Sequence, residues 1–324
     1  MKAAVLTKYG EAPVYQDFSD PVPQNGEQVL INVKAASVKN IDKLRAGGKH
    51  YASHKELPAI VGLDGVGMLE NGQRVYAQGI TGMIAEKALI TGSRSTALPD
   101  DIDDIVAAAL PNAAMGAAMA ILLRAKMQKG DTILINGATG VTGRLAVQVA
   151  RHYGAAKIIA TGRNTDSLEK LKQLGADGVV SLTQEDDDFV KQLKEINKET
   201  PIDIVIDYLW GHPAELIIKS LLGNGLGMPD RPVRIVSVGD MAGETINLAS
   251  GILRSSSIEI LGSGLGSFSQ SDWKTFNTRL LPELFQLAAD KKLIIETQTE
   301  KLVDIEAAWN KSIADGKRLV ISME

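Results

Sequence analysis

Apolar positions recur along this chain with two different periods. Over the first hundred residues they form short runs and alternations separated by turn residues. Residues 2–6 (KAAVL) are one such run, and residues 28–34 alternate, with Val29, Ile31 and Val33 opposite Leu30, Asn32 and Lys34. A period of two predicts a half-buried strand. Residues 11–23, with Pro13, Pro21 and Pro23, read as irregular, and residues 35–48 take a strand into a short helix. Residues 60–76 predict a strand, a turn at Asn71-Gly72 and a return strand, and residues 82–90 another strand. Many short strands with turns between them predict a small β-barrel.

From Asp101 onward the spacing becomes helical. Residues 102–110 form an alanine-rich helical stretch that Pro111 should break, with Asn112 capping a second helix to about Met127. Strand patterns then fall at 132–136, 157–161, 178–182, 203–207, 233–238 and 257–261. Helical patterns lie between them at 144–153, 166–174, 187–197, 213–222 and 248–254. Six strands with helical crossovers predict an α/β Rossmann fold, a doubly wound parallel sheet. Residues 262–267 close it. Helical segments at 273–290 and 304–315, with strands near Ile295 and Leu319, can complete the first domain. The expected partition is 1–104, 105–262 and 263–324, the outer pieces forming one domain.

The stretch 130–154 carries the clearest chemistry. A buried strand, 132–136, runs directly into Gly137-Ala138-Thr139-Gly140-Val141-Thr142-Gly143 and then a helix. That helix sets Leu145, Ala146, Val149 and Ala150 on one face and Arg144, Gln148 and Arg151 on the other. Glycines at this turn let the backbone approach a diphosphate, and free N–H groups of the first helical turn face it. Gly137, Thr139, Gly140, Val141, Thr142 and Gly143 are the expected contacts, although the spacing is not GxGxxG and a bland turn is the alternative. The next strand ends in Gly162-Arg163-Asn164, about 20 residues past the last glycine, where NAD-binding folds place an acid for the ribose. Arg163 stands there instead and can fork two oxygens of a 2′-phosphate. This predicts NADP(H), against the alternative of a solvated surface arginine.

Composition narrows the class. The chain has 324 residues, 44% hydrophobic and 23% charged, which suits about two domains with a sizeable core. Net charge is −4 with no long basic run, which argues against a nucleic-acid partner. The N-terminal MKAAVLTKYG has no signal-peptide core, and no run of about 18 apolar residues occurs. A soluble, cytoplasmic protein without membrane association is expected. Cysteine is absent, which excludes disulfides, thiolate nucleophiles and cysteine zinc sites. His50 and His54, four apart, could share a helix face but read as solvated. The acidic clusters at Asp100-Asp101, Asp103-Asp104 and 185–188 suit helix starts and read as solvated charge.

Seven short segments stand out by their order and spacing: 37–45 (SVKNIDKLR), 62–67 (GLDGVG), 82–87 (GMIAEK), 109–112 (ALPN), 137–143, 175–177 (GAD) and 316–321 (GKRLVI). Together they resemble the medium-chain dehydrogenase/reductase superfamily, in its zinc-free quinone oxidoreductase branch. The resemblance spans the whole chain. It implies a GroES-like catalytic domain split around the nucleotide domain, with NADPH in the cleft, and often a homodimer that pairs sheet edges such as 257–261. Departures are informative. Zinc-dependent relatives carry a GHE segment with a histidine ligand; here the stretch is Gly62-Leu63-Asp64, and Leu63 cannot ligate. The slot where quinone reductases often carry Asn is Lys39, with Asn40 beside it. The family's tyrosine after the third nucleotide-domain strand is Leu182. Residues 207–211 (DYLWG) look like a subgroup feature.

The resemblance implies hydride transfer to a quinone or an α,β-unsaturated carbonyl. Charge then develops on oxygen and needs donors, and water can supply the final proton. Tyr51, Lys39 and Asp42 are the catalytic candidates. Their alternatives are a partly buried structural tyrosine, a solvated lysine, and an aspartate that fixes the following turn. Positions at the carboxyl edge of the sheet, Tyr208 with Trp210, Val238-Gly239 and Ser263, are candidates for the nicotinamide end. Asn112, beside Met115, is another, with helix capping as its alternative. A competing function is a non-catalytic NADPH-binding redox sensor or interaction protein on the same fold.

Overall fold

A computed structural model describes residues 1–49, 51–222 and 232–324; His50 lies outside the described residues. The chain divides into two units, one of residues 1–112 with 277–324 and one of residues 113–276. Both boundaries fall later than the sequence pattern placed them. The start of the helix Asp104–Ala114 belongs with the first unit because Arg74 holds it: one guanidinium nitrogen donates to the Ile102 carbonyl at 2.8 Å and to the Asp104 carboxylate at 2.7 Å.

In the first unit the alternating runs become strands: β1 (Lys2–Leu6), β2 (Val14–Asp17), β3 (Gln28–Val38), β4 (Ala59–Ile60), β5 (Asp64–Met68), β6 (Arg74–Gln78), β7 (Lys87–Thr91) and β8 (Thr96–Ala97). β3 continues through residues 35–38 before the helix Asn40–Ala46. The second unit supplies β9 (Thr132–Asn136), β10 (Lys157–Gly162), β11 (Gly178–Ser181), β12 (Ile204–Asp207), β13 (Val233–Ser237) and β14 (Ile258–Gly262). β15 (Glu296–Lys301) and β16 (Lys317–Ser322) return to the first. There the sheets are a three-stranded β2-β1-β4 and a seven-stranded β15-β16-β3-β5-β6-β8, with β7 also paired to β3. Their shared core includes Leu6, Ile31, Val33, Val75, Ile84, Ile90, Trp309 and Ile321.

The second unit is a six-stranded sheet in the order β11-β10-β9-β12-β13-β14, every pairing parallel. This is the doubly wound order expected of the Rossmann fold. β9 is buried at all five positions, as a central strand covered on both faces must be. Leu134, Ile159, Val205 and Ile235 pack with Phe189, Leu193 and Ile217 of the covering helices. The order reverses between β9 and β12, whose last residues Asn136 and Asp207 lie side by side. Ligands of such sheets bind outside the carboxyl ends at this point.

Two expectations fail. Pro111 does not break the helix: Asp104–Ala114 runs through it, Asn112 is inside the helix rather than capping a new one, and the winding changes to π-helical at Met115–Arg124. A proline forfeits one backbone bond and crowds the carbonyl four residues back, and a buried helix can absorb both where packing holds it. Second, Arg144 and Gln148 are buried rather than on a wet face. The helix Val141–His152 is buried along residues 143–150, so it has apolar and polar neighbours on all sides.

Candidate cofactor and active site

The glycine turn has three glycines doing three different things. Gly137 has φ +80, a conformation that favours glycine, and a Cβ there would sit 2.8 Å from Leu209 Cγ. A Cβ on Gly143 would lie 2.5 Å from Ala138 Cα, so this glycine lets the helix pack on the turn. Gly140 is exposed and a Cβ there would meet nothing within 4 Å. Gly140 is also the N-cap of the helix Val141–His152, whose first ladder bond runs from Arg144 N–H to the Gly140 carbonyl at 2.9 Å. The first N–H groups of such a helix have no partner within it. An open cradle at Gly140, walled by Thr139 and the start of the helix, fits a diphosphate.

The end of β10 borders this turn. A Cβ on Gly162 would approach Thr139 Cγ2 to 2.5 Å, so only glycine allows the two segments this close. Arg163 follows and is exposed. Asn164 caps the helix Thr165–Gln173, its side chain accepting from Ser167 N–H at 2.9 Å. Arg144, which the helical period placed on a polar surface, instead reaches under the turn. Its Nε donates to the Thr139 carbonyl at 3.0 Å and Nη2 lies 3.4 Å from Ser167 Oγ. Periodicity contains no signal for that role.

On the other side of β9 lies the segment after β12. Tyr208 donates its hydroxyl to the Gly116 carbonyl at 3.1 Å, and burial pushes its phenol far above the ordinary range. That hydroxyl is thus already bonded within the unit. Val238 and Gly239 N–H both donate to the Asp207 carbonyl, at 2.7 and 3.3 Å, and a Cβ on Gly239 would meet the Tyr208 carbonyl at 2.8 Å. Ser263 is buried, with its N–H on the Ser237 carbonyl at 2.8 Å. These positions follow the carboxyl ends of adjacent strands.

In the first unit, the catalytic candidates separate. Lys39 is not solvated; its side chain is 1% exposed. Its ammonium donates to Asp64 Oδ1 at 2.6 Å, to the Ser37 carbonyl at 3.0 Å and to Ser37 Oγ at 3.3 Å, and lies 3.3 Å from Asp42 Oδ2. Burial opposes the charge, but Asp42 and Asp64 outweigh it and hold the ammonium above the usual lysine range. Three protons with four oxygens around them leave none to offer a substrate. Asp42 does fix backbone, though not of the following turn: it accepts from Lys39 N–H and, across 21 residues, from Leu63 N–H, both at 2.9 Å. Tyr76 donates to Asp64 Oδ2 at 3.0 Å. Arg318 is packed nearby, its Nη2 3.4 Å from Asn112 Oδ1, and burial lowers its pKa against the pull of Asp42 and Asp64. Tyr51 is 84% exposed, not a half-buried structural tyrosine. His54 lies in a loop rather than on a helix, and burial followed by the Arg45 charge lowers its pKa.

Comparison with known proteins supplies the family. The model described as "Zinc-binding dehydrogenase" matches residues 141–282. A probable NADPH-dependent quinone reductase of Emericella nidulans is 28% identical over 360 residues, covering 98% of this chain and 99% of its own. The chloroplastic NADPH-dependent alkenal/one oxidoreductase of Arabidopsis thaliana is 36% identical over 208 residues, covering 57% of this chain and 53% of its own. The crystal structure of the Escherichia coli quinone oxidoreductase complexed with NADPH superposes with a TM-score of 0.82 at 21% identity, covering 99% and 100% of the two chains. These likenesses support the medium-chain dehydrogenase/reductase superfamily, and within it the quinone oxidoreductase-like branch.

The metal in that family description does not fit these residues. At Gly62-Leu63-Asp64 the middle side chain is aliphatic and the acid is taken by Lys39. Cysteine is absent from the chain, and no cluster of three or more His, Asp or Glu that could hold a metal occurs among the described residues. NADPH does fit. The open Gly140 cradle lies beside the Gly162-Arg163-Asn164 edge that would take the 2′-phosphate.

Proposed function

We infer that this medium-chain dehydrogenase/reductase is a zinc-independent oxidoreductase that passes a hydride from NADPH to a quinone or an α,β-unsaturated carbonyl. The observation that carries the reading is the open turn at Gly140 in a doubly wound sheet, with an exposed Arg163 at the end of the neighbouring strand. The names of the E. nidulans and A. thaliana relatives support both the cofactor and the acceptor class. When bound, NADPH supplies the hydride. Gly137, Thr139, Gly140, Val141, Thr142 and Gly143 bind its diphosphate, and Gly162, Arg163 and Asn164 its adenosine phosphate. Asn112, Tyr208, Val238, Gly239 and Ser263 are the positions assigned to the nicotinamide end.

Charge appearing on the acceptor oxygen is the problem that zinc solves elsewhere. Here Lys39 and Asp42 are committed inside the first unit, and their part is to shape it. Tyr51, exposed, is the remaining candidate donor, with water completing protonation. The protein is soluble on this reading. The helical run Asp104–Arg124 is long and apolar enough to cross a membrane, but its most apolar stretch is mostly buried inside the protein, as a core helix would be. It acts in the cytoplasm as a homodimer, without nucleic-acid or membrane partners.

Purified protein should oxidise NADPH steadily with a panel of quinones and enals and bind no stoichiometric zinc. NADPH bound tightly without turnover on any acceptor would sink the enzymatic reading. Arg163→Ala should weaken NADPH by ten-fold or more and leave NADH nearly unchanged, since one charge-assisted pair contributes about 1.5–3 kcal/mol. Equal losses for both dinucleotides would refute the 2′-phosphate assignment.

A further inference from the structure

A buried carboxylate at the switch point has a use that hydride transfer does not require of it. Asp207, the last residue of β12, is 1% exposed. Its Oδ1 accepts three hydrogen bonds: from Asn136 Nδ2 at 2.8 Å, Leu209 N–H at 2.9 Å and Trp210 N–H at 3.1 Å. Its Oδ2 is buried with no partner among the described residues. The chain of bonds continues across the sheet. Asn136 Oδ1 accepts from Thr161 Oγ1 at 2.6 Å, and Thr161 Oγ1 accepts from Gly137 N–H at 3.2 Å. Three side chains on three adjacent strands, β10, β9 and β12, thus join the first glycine of the diphosphate turn to the Leu209–Trp210 backbone.

That backbone is strained. Trp210 has φ 54 and ψ −156, a region nearly reserved for glycine. It persists because it is held at several points: Trp210 N–H on Asp207, Ala242 N–H on the Leu209 carbonyl at 2.8 Å, and Tyr208 hydroxyl on Gly116. The strained segment in turn seats Leu209 against Gly137, where a side chain on the glycine would collide with it.

We propose that Asp207 is a positioning residue for NADPH: as the acceptor shared by Asn136, Leu209 and Trp210, it locks the diphosphate turn and the 208–211 segment into one rigid frame. The proposal rests on the glycine turn being the diphosphate site. Asp207 acts through its acceptor geometry and not through its charge. Only one of its two oxygens is used, and an amide can present the same oxygen to the same three donors. Burial, opposed by the bonds from Leu209, Asn136 and Trp210, raises its pKa, in keeping with a site that does not need the anion.

The experiment compares Asp207→Asn, Asp207→Ala and Asn136→Ala with the wild type. NADPH affinity is read by titration of the apo protein, folding by circular dichroism, and KM for NADPH and kcat by turnover on a quinone. Asp207→Ala should remain folded and lose ten-fold or more in NADPH affinity, seen in KM more than in kcat. Asp207→Asn should recover affinity to within about two-fold. Asn136→Ala should fall between them and be non-additive with Asp207→Ala, since both cut one chain. If Asp207→Ala does not fold, the Asn136→Ala and Asp207→Asn results decide. Wild-type affinity in folded Asp207→Ala or in Asn136→Ala, or an Asp207→Asn variant as weak as Asp207→Ala, would overturn the proposal. Wild-type protein that binds no NADPH would instead defeat the functional reading beneath it.

Discussion

At the scale of single residues, the buried Lys39 cluster is where chemistry and stability part. Removing one member of a buried ion pair leaves the other charge uncompensated, at a cost of about 3–5 kcal/mol. Lys39→Met should therefore destabilise the protein by that order in urea unfolding, with Asp42 and Asp64 left facing each other. Tyr76→Phe, which removes one hydrogen bond to Asp64, should cost only about 1–3 kcal/mol. An unchanged midpoint for Lys39→Met would contradict the buried pair. Asp207 gives a pH test of opposite sense. Its folded pKa is raised, so between the ordinary value of 3.8 and the folded value the native state holds a proton that the unfolded chain has released. Stability from this group is complete below 3.8 and is lost as pH rises through the folded value. The advantage of Asp207→Asn over wild type in thermal midpoint should thus grow with rising pH across that window. A gap independent of pH would mean that Asp207 titrates normally. None of these partnerships was legible in sequence. Lys39 and Asp64 are 25 residues apart and Asn136 and Asp207 are 71 apart, and the fold alone brings them together. Arg144 misled for a related reason: a period of 3.6 identifies a polar stripe, but a helix covered on both sides buries that stripe as well.

At the scale of elements, the turn 137–143 divides into a part that serves packing and an open part to which we assign binding, and two alanines separate them. Gly143→Ala drives a Cβ into Ala138, 2.5 Å away across rigid backbone, so apo stability should fall by about 1–3 kcal/mol. Gly140→Ala meets nothing, and with φ −74 its backbone suits any residue. Apo stability should stay within about 0.5 kcal/mol of wild type, while NADPH affinity falls, because the methyl enters the space of the diphosphate. Gly140→Val should abolish binding. Thermal melts of the apo proteins beside NADPH titrations check this; a Gly140→Ala variant with full affinity would place the diphosphate elsewhere. This element was readable in advance because its strand, turn and helix are local, and β9 and β10 begin where the apolar runs begin. Pro111 was not, because its neighbours decide. The helix Asp104–Ala114 is buried at Ala107, Ala108, Ala109 and Leu110, and that packing outweighs one missing backbone bond.

At the scale of the molecule, the unfinished feature is the outer edge of the six-stranded sheet. Among the described residues β14 pairs with β13 on one side only. The flanking bonds fix which of its groups face outward: Val233 N–H donates to the Ser257 carbonyl, and Ser263 N–H donates to the Ser237 carbonyl. In a parallel pair alternate residues bond to the same neighbour, so Ser257, Glu259, Leu261 and Ser263 face β13 while Ile258, Ile260 and Gly262 face away. The Gly262 carbonyl is covered by Arg124 Nε at 2.7 Å, in agreement with that parity. What remains is a short edge at Ile258 and Ile260 whose side chains are only half buried. Such an edge invites pairing, and a two-fold axis through it would join two copies antiparallel and close the assembly. Ile260→Pro removes an outward N–H without touching the β13 ladder. It should therefore convert a dimer to a monomer in light scattering while the thermal midpoint of the dissociated chain changes little. Ile260→Thr, which keeps the N–H, should remain dimeric. A wild-type mass of one chain, or a dimer unaffected by the proline, would show that this edge is not the interface.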